Sequence, residues 1–132
     1  MAYEIELIAA LTVPNPKMYV NDCCWGGDEI RDRLIGVIAT GYDHVETLQE
    51  DWGWFIWMRR GQQWTGIDIC CDDKESGAFR IHVSGWQIRW LRRKHVEGDD
   101  LEHIKELVVN AISKWGEVIQ VRKFSADFKT EL

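Results

Sequence analysis

"WGWFIWMRRGQQWTGIDICC", residues 52–71, is the stretch whose reading decides the fold. Taking Gly61–Gln62 as a two-residue hairpin turn, with glycine at the first central position as a type II′ turn requires, sets the register of two antiparallel strands. Met58 then faces Thr65, Ile56 faces Ile67, Trp54 faces Ile69 and Trp52 faces Cys71. The alternate residues pair Arg59 with Trp64, Trp57 with Gly66, Phe55 with Asp68 and Gly53 with Cys70. One face is almost wholly apolar and the other is mixed, as the two-residue period of a strand dictates.

The following "DDKESGA" (72–78) is rich in turn residues and reads as a loop. Pairing Asp72 with Ala78 sets Cys71 opposite Phe79, Ile69 opposite Ile81 and Ile67 opposite Val83. The apolar face thus runs unbroken onto a third strand. A slip of one residue would turn every one of these side chains to the wrong side. This reading places Trp52 and Trp54 in the core.

The mixed face carries Phe55, Trp57, Arg59, Trp64, Asp68, Cys70, Arg80, His82, Ser84 and Trp86. Gly66 lies between Trp57 and Ser84, which leaves room for an indole across the sheet. Asp68 and His82 are cross-strand neighbours, an arrangement that either orients a general base or forms an ordinary surface ion pair. Ser84 is one residue pair from His82, about 7 Å away at strand spacing, too far for a direct hydrogen bond. No nucleophile elbow or oxyanion-hole glycine run accompanies Cys70. The ion-pair reading is the stronger one.

Outward from this centre, "YEIELIAAL" (3–11) alternates as a strand, and 12–27, with both prolines, reads as a loop. Asp28 is a plausible N-cap for a helix carrying Ile30, Leu34, Val37 and Ile38, which Gly41 would end. Gly26–Gly27 before it is read as a helix-entry turn, since Asp22, Asp28 and Glu29 would repel a phosphate. Four strands are expected at 43–49, 52–60, 63–72 and 78–88. A second helix over 98–115 has the apolar stripe Leu101, Ile104, Leu107, Val108, Ala111, Ile112 and Trp115, and Gly116 follows it. A last strand is expected at 117–124. The order β-α-ββββ-α-β predicts one α+β domain over residues 1–132. It is a two-layer antiparallel meander with two helices on one face.

With 45% hydrophobic and 29% charged residues, the composition is that of a folded chain, not a disordered one. A net charge of −6 disfavours polyanions as partners. Acid is concentrated in residues 22–51, and "WQIRWLRRKH" (86–95) is basic, with Arg89, Arg92, Arg93 and Lys94. That segment interleaves aromatic and basic residues as single-strand nucleic-acid grooves do. Its plainer reading is a strand end that turns into a cationic loop capping the acidic helix start at Glu97, Asp99 and Asp100, and a patch that meets an acidic protein partner is favoured over nucleic acid. Cys23–Cys24 and Cys70–Cys71 are vicinal, which is neither a disulfide framework nor zinc-finger spacing. No metal, no cofactor and no intramolecular disulfide is expected. His44, His95 and His103 show no chelating spacing. The N-terminus lacks a basic signal region and no apolar run reaches membrane-spanning length, which points to a cytoplasmic protein and no membrane partner.

Size, acidity, absent catalytic motifs and an aromatic sheet face point to a protein-binding module. Toxin-neutralising immunity proteins and phage-borne inhibitors of host defence are a class of similar build, an analogy and not a motif match. Binding would use Phe55, Trp57, Arg59, Trp64, Asp68, Arg80, His82, Trp86, Arg89 and Trp90. The partner would be a protein, cationic or itself nucleic-acid-binding, occluded by aromatic anchors and an acidic pole. Two alternatives remain open: a small-molecule or enzymatic site around Asp68 and His82, and a homodimer that hides this face.

Overall fold

The structure is a computed structural model, and it describes residues 2–11, 15–89, 92–95 and 99–124. The protein is α+β, with an antiparallel sheet and two helices packed against one of its faces. In chain order the strands are β1 (Ala2–Ala9), β2 (His44–Glu50), β3 (Gly53–Arg60), β4 (Gln63–Asp73), β5 (Ala78–Arg89), β6 (Arg92–His95) and β7 (Val118–Phe124). Helix α1 (Gly27–Ile38) joins β1 to β2, and α2 (Asp99–Ser113) precedes β7. The strand order is β2-β3-β4-β5-β1-β7, with β6 paired to the far end of β5.

The hairpin register follows the sequence pattern. Met58 pairs with Thr65, Ile56 with Ile67 and Trp54 with Ile69. Ile67 pairs with Val83, Ile69 with Ile81 and Cys71 with Phe79. Gly61 has φ 59°, the left-handed value that its turn position demands of glycine. On the apolar face, Trp54, Ile56, Met58, Ile67, Ile69, Phe79, Ile81 and Val83 are all buried, joined by Ile5 and Leu7 of β1. Ile30, Leu34 and Ile38 of α1, and Leu101, Ile104, Val108 and Ile112 of α2, close this core from above. Each such side chain contributes roughly 1.5–3 kcal/mol by leaving water, so the one-residue slip excluded by the pattern would forfeit most of the stability.

Several expectations are corrected. Trp52 is not core: Asp51 and Trp52 form the β2–β3 turn, strand alternation starts only at Gly53, and Trp52 is 45% exposed. Ala78 pairs with Asp73, not Asp72, because a bulge after Cys71 absorbs one residue. The N-cap of α1 is Gly26 in the left-handed conformation; Asp28 sits in the first turn and accepts a hydrogen bond from the Tyr19 hydroxyl at 2.7 Å. Helix α1 ends at Ile38, short of Gly41, and Val37 is 45% exposed. The basic segment is no loop at its end: residues 92–95 form β6, with Trp86 opposite His95.

Polar contacts pin the layers together. Lys105, only 4% exposed, reaches Glu102 at 2.8 Å and Glu106 at 3.1 Å and lies over the Tyr3 ring, whose hydroxyl donates to Glu102. Arg33 of α1 makes a two-pronged contact with Glu117, just before β7, at 2.8 and 3.2 Å. Among the described residues no helix is long and apolar enough to cross a membrane.

Candidate functional site: the open face of the sheet

Strand alternation places Phe55, Trp57 and Arg59 of β3 beside Asp68, Gly66 and Trp64 of β4, and these beside His82, Ser84 and Trp86 of β5. Both helices lie on the opposite face. The middle register line, Trp57–Gly66–Ser84, is one large residue followed by two small ones. The indoles of Trp57 and Trp86 fill the space so created, both within reach of a Cβ placed on Gly66.

The rings form a continuous row. Phe55 stacks on Trp57 with centroids 5.4 Å apart and planes 29° apart. Trp57 stacks on Trp64 at 4.9 Å and 24°, and meets Trp86 at 5.0 Å and 44°. Phe55 and Trp64 come from register lines on either side of Trp57, so the central indole is stacked on a neighbour from each. Trp52 meets Phe55 edge-on at 5.8 Å and 81°, extending the row into the β2–β3 turn, and the Arg59 guanidinium lies 5.7 Å from the Trp64 ring. Offset-stacked and edge-to-face pairs are the favourable aromatic geometries, each worth about 0.5–1.5 kcal/mol beyond area burial.

The other half of the face is charged. His82 Nδ1 lies 3.1 Å from Asp68 Oδ2, as their register requires. Arg80 contacts Asp72 at 3.1 Å and Glu4 at 3.7 Å. Burial pushes the Glu4 carboxyl up against the opposing pull of Arg80. Glu4, Cys23, Trp52, Asp68, Cys70, Arg80 and His82 line a shallow cleft of about 590 Å³. A smaller depression of about 330 Å³ lies among Glu46, Phe55, Trp57 and Trp86. Ser84 is buried, and its hydroxyl has no hydrogen-bond partner among the described residues. Among the described residues no group of three or more His, Cys, Asp or Glu side chains is arranged to hold a metal ion.

Of the residues singled out from sequence, Phe55, Trp57, Arg59, Trp64, Asp68, Arg80, His82 and Trp86 therefore share one face. Arg89 is the last residue of β5, but its side chain lies outside the described residues, as does Trp90 altogether. Trp52, Cys23 and Glu46 also line this face, beyond the residues that the sequence pattern assigns to it. Glu46 could have been found by extending the register to β2, where it pairs with Trp57. Trp52 depends on the length of one turn, and no local signal in the sequence brings Cys23 here.

The fold and face together define a two-layer α+β protein with a tryptophan-rich aromatic cluster on its open sheet face. No protein-family model, no curated protein and no solved structure matches the chain.

Proposed function

We propose that the protein is a small cytoplasmic protein-binding module, an inhibitor or immunity-type protein that occludes its target through the open sheet face. The observation that carries this reading is the row Trp52–Phe55–Trp57–Trp64 with Trp86, five rings joined by successive pairwise contacts on the face opposite the helices. Rings locked against each other lose little freedom on docking, and tryptophan and arginine dominate interface hot spots. Beside the row, the edge strand β2 carries exposed Glu46 and Glu50, and exposed Asp51 follows in the turn. These acids favour a cationic partner surface and would speed its encounter at low salt.

The Asp68–His82 pair is better read as part of the face than as a catalytic dyad. Nδ1 is turned to Asp68, and Nε2, the nitrogen a general base would present to a substrate, is sealed from solvent.

The test is affinity capture from a cytoplasmic lysate with wild-type and Trp57→Ala baits, followed by titration of the captured protein. The expected result is a retained partner whose affinity falls by roughly thirtyfold or more in Trp57→Ala, about 2 kcal/mol, while Asp68→Asn changes it little. Binding indifferent to Trp57 would overturn the reading. So would sedimentation showing that the free chain is a dimer closed over this face.

A further inference from the structure

The two vicinal cysteine pairs are each split between environments. Cys24 and Cys71 turn into the core, whereas Cys23 and Cys70 are half-buried and line the cleft beside Trp52. Cys70 lies on the open face of β4, paired with Arg80. Cys23 belongs to a 3-10 turn, Asp22–Cys24, that is fastened to the end of the sheet. Trp54 Nε1 donates to the Cys24 carbonyl at 2.7 Å, and the Cys24 thiol donates to the Glu50 carbonyl at 3.1 Å. The Asn21 side chain donates to the Asp51 carbonyl, and Lys74 reaches Asp22 at 3.2 Å. So anchored, the turn carries Cys23 to the wall of the same cleft that Cys70 lines.

We propose that Cys23 and Cys70 form an oxidisable dithiol, closed to a disulfide by a hydroperoxide or a small-molecule disulfide. The two thiols give up two electrons and two protons. Hydrogen peroxide is thereby reduced to two waters, or glutathione disulfide to two glutathione thiols, and one S–S bond forms. Cys24 and Cys71 do not compete, because both are buried and Cys71 points to the opposite face of its strand. Burial, and after it the Cys23 thiol, push Cys70 up to about 11, against a hydrogen bond from Arg80 that favours the thiolate; Asp72 Oδ1 is 3.8 Å from the sulfur. Cys70 therefore rests as a thiol at neutral pH. Closure would tie the 3-10 turn to β4 at the Trp52 end of the aromatic row, whatever that row binds.

The experiment uses the full chain, reduced, desalted and exposed to glutathione disulfide or a slight excess of hydrogen peroxide. The reaction is quenched with N-ethylmaleimide and mapped by mass spectrometry without reduction. The expected product is a monomer with a Cys23–Cys70 cross-linked peptide and two alkylated cysteines, Cys24 and Cys71. Its melting temperature should rise, because a long loop of the unfolded chain is closed, and dithiothreitol should reverse the rise. Cys23→Ser and Cys70→Ser should each abolish both the cross-link and the shift. Circular dichroism of each variant establishes that it is folded. A vicinal Cys23–Cys24 or Cys70–Cys71 link, an intermolecular dimer, a stable glutathione adduct without closure, or four alkylated thiols would each overturn the proposal.

Discussion

Gly66 lies beneath two indoles, and a Cβ in its place would stand 2.9 Å from Trp86 Cζ3 and 3.2 Å from Cε3 and Cζ3 of Trp57. Both rings are held by stacking, so neither can swing away without breaking the row. Gly66→Ala is therefore expected to destabilise the fold by about 1–3 kcal/mol, the usual cost of overpacking, although alanine is the better strand residue. The same variant should alter tryptophan fluorescence, because two of the stacked indoles move. An unchanged urea midpoint together with an unchanged emission spectrum would show that the indoles do not rest on this glycine. At the residue scale, then, one missing methyl group shapes the open face.

Strand β3 shows how one element serves two surfaces. Trp54 points into the core, is 7% exposed, and donates its indole N–H to the Cys24 carbonyl. Trp57, three residues on, points the other way and touches Phe55, Trp64 and Trp86. Trp54→Ala opens a core cavity and leaves a buried carbonyl without its donor, so roughly 3–5 kcal/mol of stability should be lost. Trp57→Ala forfeits its ring pairings on a face that water still reaches and should cost about 2 kcal/mol. Thermal melts of the two variants measure the contrast. Equal losses would mean that the open face is a second core and leave no surface to propose as an interface.

At the scale of the whole molecule, the Arg33–Glu117 contact ties α1 to the connection between α2 and β7. The Arg33 guanidinium holds the Glu117 carboxyl well down, at about 2. In the unfolded chain the same carboxyl titrates near its ordinary value of about 4.3. Between these values the unfolded chain takes up the proton before the folded protein does, so acidification there favours unfolding. The contribution is fully present above about pH 4.3 and is lost as pH falls through about 2. Wild type should melt above Glu117→Gln at pH 7, and the difference should close between pH 4 and pH 2. A constant difference across that range would show that the contact contributes nothing through titration.

The sequence by itself determined the meander from β3 to β5, its register and its core face. Side chains alternate every two residues, a two-residue glycine turn has one frame, and only one frame keeps Trp54, Ile56, Ile67, Ile69 and Ile81 together out of water. The eight described residues proposed for the open face could be read off the same frame. The tertiary structure alone decided what depends on loop length or on meetings between distant segments. One residue of turn moved Trp52 from the core to the open face, and one bulged residue shifted the pairing of Ala78. The placing of β1 between β5 and β7, and the addition of β6 to the far end of β5, follow from packing across the whole sheet, which no local pattern encodes. The stacking of Trp57 on Phe55 and Trp64, and the meeting of Cys23 and Cys70 at one cleft, are likewise set where separate elements meet. Strand periodicity assigns a side chain to a face, but only the folded chain sets which neighbours it touches there.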